Sequence, residues 1–353
     1  MATKTQAIAK PAASERALGF WLLGVAAMIF AMAVIGAITR LTESGLSIME
    51  WAPIEGALPP LSQSEWERLF ALYRTIPEYI DVNAGMTLAE FKAIFWWEWI
   101  HRLWGRLIGL VYLLPLLWFL WRRRLPSWIV PHLWIAFALG ALQGFFGWFM
   151  VASGFAGRTD VSQYRLVAHL GLALAIYGYL LALSFRLLDP TPGLVGGRAL
   201  RFGLWALLGL LVLTLASGGL VAGLNAGLVY NSYPAMDGDL VPAGYALLQP
   251  WLANWGENVI AVQFNHRLLA HLTLLGAIAV WLMARLRQRS RAAKAATSLV
   301  IAAAASQLLL GIAALLLMVP VWLGALHQAG ALVLLTSLVW ALHRTRQIEA
   351  PEA

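Results

Sequence analysis

The sequence predicts an all-α integral membrane protein: eight transmembrane helices built as two four-helix bundles related by a pseudo-twofold axis. Three observations lead there. Of the 353 residues, 61% are hydrophobic and only 12% charged, and the mean hydropathy is +0.72, whereas a soluble domain carries about 25% charge. Eight stretches reach the roughly 20 apolar residues that a span needs, near 17–38, 98–121, 131–152, 166–188, 200–222, 259–284, 296–318 and 323–343. The last four repeat the polar punctuation of the first four, in the same order.

The formal net charge is +8, and its distribution decides what it means. Put the N-terminus, the even-numbered connections and the C-terminus on one side. That side collects Lys4, Lys10, Arg16, Arg122, Arg123, Arg124, Arg186, Arg198, Arg201, Arg285, Arg287, Arg289, Arg291, Lys294, Arg344 and Arg346, sixteen of the 25 basic residues, against Glu15, Asp189, Glu349 and Glu352. The other side, with the span ends facing it, holds the remaining nine basic residues and thirteen acids. By the positive-inside rule both termini lie in the cytoplasm. The basicity is a topology signal: the chain's partner is the lipid bilayer, and no nucleic acid is expected. There is no cysteine, which excludes disulfides, iron–sulfur clusters and thiolate metal sites. The first sixteen residues have neither the Arg/Ser-rich pattern of a transit peptide nor the cleavage site of a signal peptide. They read as a cytoplasmic tail, and the expected location is a bacterial inner (plasma) membrane.

In chain order, the tail 1–16 leads into span one, through Gly19–Ile38, which exits into a long outer segment, 39–97, punctuated by Pro53, Pro59 and Pro60. Ser64-Glu65-Trp66-Glu67 has capping-box spacing and predicts a helix to about Tyr73. Thr87-Leu88-Ala89-Glu90 repeats the pattern and predicts a helix that runs unbroken into span two. Trp96, Trp97, Trp99 and Trp104 read as interfacial anchors, with no chemistry assigned. Span two stops at Trp121-Arg122-Arg123-Arg124. Gly140, Gly144 and Gly147 in span three predict close helix approach. A short outer loop, 153–163, precedes span four. The Pro/Gly-rich inner connection 189–199 then divides an N-terminal bundle, 17–188, from a C-terminal bundle, 200–344, and 345–353 forms a second cytoplasmic tail.

The second half echoes the first. Gly219-x3-Gly223-x3-Gly227-Leu228 follows the pattern that begins at Gly36. His266-Arg267-Leu268 matches His101-Arg102-Leu103, Gln307-x3-Gly311 matches Gln143-x3-Gly147, and His327 matches His169. Both halves enter from the same side, so the repeat is parallel. Two bundles side by side, with the axis along the membrane normal, is the simplest packing.

Of seven histidines, four follow the repeat: His101, His169, His266 and His327. All lie at the outer ends of even-numbered spans, level with one another. A lone histidine in a span is more often a satisfied inter-helix hydrogen-bonder than a ligand. A duplicated, level set of two per bundle, in a chain without cysteine, points to haem held between two helices of each bundle, its sites near the outer face. Zinc or copper would want a third or fourth ligand at each centre. Gly105 and Gly109, one and two turns beyond His101, offer a smooth strip to a porphyrin, or equally to a neighbouring helix. Arg102 and Arg267 stand where they would meet propionates, or simply anchor span ends. His132 and His343, on the cytoplasmic side, are expected to be solvated. His271, about 140° around the helix from His266, is expected to contact a neighbouring helix.

Glu98 precedes His101 by three residues and shares its helix face. Its counterpart in the second half is the neutral Gln263. The plain reading is a surface ion pair with Arg102 at i+4, worth roughly 0.2–0.5 kcal/mol. Arg267, however, does without a carboxylate. The other reading is therefore that the two sites do different work: acid/base or cation-stabilising chemistry at the first, and electron transfer alone at the second.

These motifs, Glu98-x-x-His101, His169, Asn265-His266-Arg267 and Leu326-His327-Gln328, resemble those of the haem A synthases, eight-span membrane enzymes that convert haem O to haem A for cytochrome c oxidase assembly. The resemblance runs from Gly36–Glu50 to Ala341. It implies substrate haem O between His101 and His169 as axial residues, with Glu98 assisting catalysis. It implies a haem b cofactor whose iron is held by His266 and His327. The implied reaction oxidises one porphyrin methyl group to a formyl group, by two successive hydroxylations and loss of water from the gem-diol. Haem O synthase, cytochrome c oxidase assembly factors and a second copy of the chain are the implied partners. Some bacterial members carry a cysteine pair in the outer loops. This chain has no cysteine, so no thiol–disulfide role operates here, and the electron donor is unidentified. On the residues alone two other classes stay open. One is a quinone-linked di-haem b electron carrier, with equivalent sites and no use for Glu98. The other is a haem-handling chaperone that turns nothing over.

Overall fold

The structure is a computed structural model that describes residues 13–155, 157–190, 197–287 and 290–346. Most of the two expected tails and of the Pro/Gly connection lie outside the described residues, with Lys4, Lys10, Arg289, Glu349 and Glu352. Among the described residues there are no strands and ten α-helices. They are α1 (Ala13–Leu41), α2 (Gln63–Tyr73), α3 (Pro77–Asp81), α4 (Leu88–Trp121), α5 (Val130–Gly154), α6 (Gln163–Leu188), α7 (Arg198–Gly223), α8 (Val259–Arg287), α9 (Arg291–Leu316) and α10 (Val321–Arg344). All except α2 and α3 are long and apolar enough to cross a membrane. With no water in hydrocarbon to solvate the backbone, a helix that satisfies its own N–H and C=O groups is what such stretches must form.

The helix α4 has 34 residues, about 50 Å at 1.5 Å per residue, which exceeds the ~30 Å hydrocarbon core. Its first turns therefore stand clear of the spans. The predicted Thr87–Glu90 box is formed: Glu90 N–H donates to Thr87 Oγ1 at 3.3 Å, and Thr87 N–H donates to the Glu90 carboxylate at 2.7 Å. The other predicted cap moves. Ser62, extended at φ −121° and ψ 157°, caps α2 by accepting from Glu65 N–H, while Ser64 falls in the first turn. Ser62 and Glu65 have the same three-residue spacing as Ser64 and Glu67, so spacing alone had no means of choosing between them.

The helices α1, α4, α5 and α6 pack in one ring, and α7, α8, α9 and α10 in another. The rings meet through α1 on α10, α6 on α7, and α6 on α10. Exchanging the halves maps the first contact onto the second and the third onto itself, which puts the pseudo-twofold between α6 and α10. There the hydroxyls of Tyr177 and Thr336 are 2.6 Å apart. Arg40 ties the halves together at the end bearing the long connections. It donates to Asp160 at 2.6 Å, to Asn225 at 3.0 Å and to the Ala222 carbonyl at 3.1 Å. The symmetry is not exact: α8 lies along α9 whereas α4 and α5 touch only briefly, and α1 packs along α6 far more than α7 does along α10. Gly140 and Gly144, expected at a close helix approach, face open space instead, and only Gly147 meets a neighbour, His169.

The main apolar core occupies one half of the helix lengths. It takes Leu18 to Ile29 from α1, Tyr112 to Phe119 from α4, Leu174 to Leu187 from α6, Leu200 to Leu211 from α7, Ala277 to Ala284 from α8 and Leu332 to Leu342 from α10. It stops short of all four repeat-related histidines. A second cluster, Leu46, Trp66, Leu69, Tyr73, Ile76, Phe91, Phe95 and Val161, packs α2 and the head of α4 over the first ring. Trp96 joins it, 5.8 Å from Trp66 and 5.4 Å from Trp99. The capped half of each ring is thus left to polar side chains.

Candidate functional site

Each repeat-related histidine sits over a glycine of the preceding long helix. A Cβ added at Gly36 would lie 3.2 Å from His101 Nε2. Added at Gly147, Gly218 or Gly311, it would lie 3.2, 3.0 or 2.8 Å from Cε1 of His169, His266 or His327. At these glycines an imidazole comes close to the backbone, an approach that close packing denies to a larger residue.

Polar partners then fix three of the rings. The Gln143 amide Nε2 lies 3.2 Å from His169 Nδ1 and donates to the His169 carbonyl at 3.1 Å. Gln307 repeats this on His327, at 3.1 Å from Nδ1 and 2.9 Å from the carbonyl. The Oε1 atoms of both glutamines are buried without a partner among the described residues. Ser217 Oγ lies 2.9 Å from His266 Nδ1. The His266 and His327 rings are 6.5 Å apart, centroid to centroid, at 89°.

The second layer consists of two latches, one per half. Glu98 is buried, 3% exposed. Its Oε2 accepts from Ser47 Oγ and Ile48 N–H, both at 2.7 Å, and its Oε1 accepts from Arg102 at 2.6 Å. Arg102 also donates to the carbonyls of Ile48 (2.7 Å) and Glu50 (2.8 Å). In the other half, Gln263 donates to the Ala226 carbonyl at 2.8 Å and accepts from Arg267 at 3.2 Å. Arg267 donates to the carbonyls of Tyr230 (2.7 Å) and Ser232 (2.9 Å). The Glu98–Arg102 ion pair is therefore present but buried, and Arg267 does have a side-chain acceptor, the amide. The guanidinium donors offered on sequence grounds to propionates are largely taken by loop carbonyls, and Arg267 Nε is buried without a partner among the described residues.

Arg106, one turn beyond Arg102, adds to this rim. It donates to Pro53 and Ala52 carbonyls and keeps Nη1 buried without a partner. Its repeat counterpart is His271. Sequence reasoning gave no role to Arg106 or Ser217; the repeat register would have flagged both, since each differs from its counterpart. Beyond the spans, Glu78 in α3 is 4% exposed, with Oε2 unpartnered. Burial first, then the charges of Asp160, Glu98 and Glu43, push its carboxyl up to about 8. Glu50, exposed beside Arg68, is held below the usual carboxylate range by that guanidinium.

Of the expectations about the remaining histidines, those for His343 and His271 change. His343 is buried, not solvated, stacked on Trp340 and 3.7 Å from Asp189, which also pairs with Arg344. His132 bonds Tyr179 OH at 2.7 Å. His271 contacts no neighbouring span through its ring nitrogens: it bonds the loop residue Tyr233 at 2.9 Å and the Arg267 carbonyl of its own helix at 2.6 Å.

The donor set is a test of what could be held here. Among the described residues no group of three or more His, Asp or Glu side chains is placed to hold a metal ion, which argues against zinc-type coordination. Two perpendicular imidazoles 6.5 Å apart leave room for one metal between their nitrogens, with bonds of about 2 Å. Haem iron with two histidine axial ligands fits that spacing.

Fold and site together define a class: a duplicated eight-helix membrane protein with a histidine pair in each half. The chain belongs to the cytochrome oxidase assembly protein family, whose profile matches residues 19–339. It is 51% identical over 345 residues to a protein named Heme A synthase from Rhodospirillum centenum, covering 97% of this chain and 92% of that one. The Heme A synthase of Nitrosospira multiformis is 46% identical over 339 residues, 95% of each chain. That of Parvibaculum lavamentivorans is 47% identical over 342 residues, 97% of this chain and 98% of the other.

Proposed function

We propose that this chain is a haem A synthase of a bacterial inner membrane, with both termini cytoplasmic and the histidine sites toward the outer face. The first ring receives haem O between His101 and His169; the second holds haem b on His266 and His327. The observation that carries the reading is an unequal pair of sites on one symmetric scaffold. Each half has two histidines over two glycines, yet only the first has a carboxylate behind it, a loose α4–α5 seam and an unclamped histidine.

Haem b, when bound, supplies one-electron chemistry. The protein's own share is positional. Ser217 and Gln307 hold the second pair of rings, and Gln143 holds His169. In the substrate, one methyl carbon would lose four electrons overall to an oxidant supplied from outside the chain, exchanging C–H for C–O bonds in two hydroxylations, and the gem-diol would lose water to leave a formyl group. Glu98, held by three donors including Arg102, is a fixed negative charge one helical turn from His101. It serves there by stabilising positive charge that develops on the substrate. Arg106 Nη1 and Arg267 Nε, the rim donors without a partner among the described residues, are the ones left to meet propionates.

Pigment chromatography of protein purified from cells that make haem O is the test. Farnesylated haem together with haem b, and conversion of haem O to haem A by the purified protein, is the expected result. Haem b alone, at two equivalents per chain, would instead make it an electron carrier.

A further inference from the structure

His101 is held unlike the other three histidines. His169, His266 and His327 turn Cε1 toward the facing glycine, with Nε2 further off, at 4.0, 3.8 and 3.6 Å from the position of an added Cβ. His101 presents Nε2 at 3.2 Å and Cδ2 at 3.5 Å to Gly36, the same placement with the ring turned over about Cβ–Cγ, so what sets it apart is its lack of a partner. The other three each have a side-chain partner: Ser217 Oγ at His266 Nδ1, and the Gln143 and Gln307 amide nitrogens against both ring nitrogens of His169 (3.2 and 3.3 Å) and His327 (3.1 and 3.4 Å). Among the described residues no side chain hydrogen-bonds the His101 ring. Ile35 stands directly before Gly36, where the second half has Ser217 directly before Gly218. A hydrogen bond at the far nitrogen fixes the tautomer and orientation of a metal-bound histidine and strengthens its hold. The surroundings differ in the same sense. Around His101 the α4–α5 seam is loose, and Gly109, Gly140 and Gly144 face open space.

We propose that His101 is the releasable axial residue of the first site. Substrate binds, and product leaves, by exchange at His101 while Gln143 keeps His169 in place. Ser217 and Gln307 are positioning residues that make the second site non-exchanging. The proposal rests on reading His101 and His169 as the substrate pair. Its physical logic is that a substrate site must give up its product at every turnover, whereas an electron-transfer site must not.

Carbon monoxide added to the reduced, purified protein is the probe, since it takes an axial position only where a side chain yields. In the wild type one haem per chain is expected to give a CO difference spectrum. Ile35→Ser, which places a hydroxyl where Ser217 stands in the other half, is expected to cut CO affinity on the order of tenfold. Ile35→Thr adds the same hydroxyl on a branched side chain and should do likewise if the serine variant folds poorly, and Ile35→Val should behave as wild type. Ser217→Ala is expected to make the second haem CO-reactive. CO uptake by both haems or by neither in the wild type overturns the proposal, as does unchanged uptake in both the hydroxyl and the Ser217→Ala variants. Pigment chromatography of the same samples separates the two levels. Absence of farnesylated haem defeats the functional reading, whereas farnesylated haem with unaltered CO reactivity in these variants defeats only this proposal.

Discussion

The imidazole of His266, on α8, faces that of His327, on α10, with ring planes 89° apart and centroids separated by 6.5 Å. The contact crosses the second ring between helices that are not its direct neighbours in sequence, and each histidine is backed by a glycine, Gly218 or Gly311. A pair so braced is a preformed clamp. His266→Ala and His327→Ala are each expected to lose the low-spin haem b signal, read by absorption spectroscopy and haem content; retention in both would mean that the second site is misplaced.

The glycine floor makes a sharper prediction. A methyl group at Gly311 would stand 2.8 Å from His327 Cε1, closer than packed carbons allow. Gly311→Ala is expected to displace the ring and lower haem b occupancy several-fold. Gly109→Ala, which meets nothing within 4 Å, is expected to leave it unchanged.

Glu98 and Arg102 should behave asymmetrically. Gln263 holds Arg267 through its amide oxygen, so Glu98→Gln is expected to keep the loop latched and haem bound while formyl formation is lost. Normal turnover in that variant would remove Glu98 from the chemistry. Arg102→Leu leaves a buried carboxylate unpaired, expected to cost about 3–5 kcal/mol. The double variant should melt at a higher temperature than Arg102→Leu alone, because the stranded charge is gone.

Glu78 predicts a pH dependence of stability. Its carboxyl, ordinarily near 4.5, is pushed up to about 8 by burial and by the neighbouring charges of Asp160, Glu98 and Glu43. The folded state thus binds this proton more tightly than the unfolded chain does. The stability it contributes is complete below about pH 4.5 and is lost as pH rises through about 8. Thermal melts of the detergent-solubilised protein should fall across that window, and Glu78→Gln should flatten the slope. A wild-type melting temperature that does not change with pH would contradict it.

Much of the fold was legible beforehand because lipid imposes a simple rule: about 20 apolar residues with no unpaired backbone. The eight long helices fall where the hydropathy placed them, and the Thr87–Glu90 cap starts α4 as its spacing predicted. The histidines were legible because the chain repeats itself. What pattern could not resolve was anything degenerate in spacing or dependent on a partner distant in sequence. Ser62 and Ser64 offered the same cap. Gly140 and Gly144 have the spacing of a helix contact but face open space. The burial of His343 depends on Trp340 and Asp189 converging on it.

The sequence by itself determined the membrane class and the number of spans, and internal comparison singled out four repeat-related histidines. Only the tertiary structure decided how the two halves differ. It buried the Glu98–Arg102 pair and turned both arginines into loop latches. It gave His266, His169 and His327 their hydrogen-bond partners and, among the described residues, left the His101 ring without one. Those differences arise between residues 20 to 49 apart in sequence, where packing sets which side chains meet.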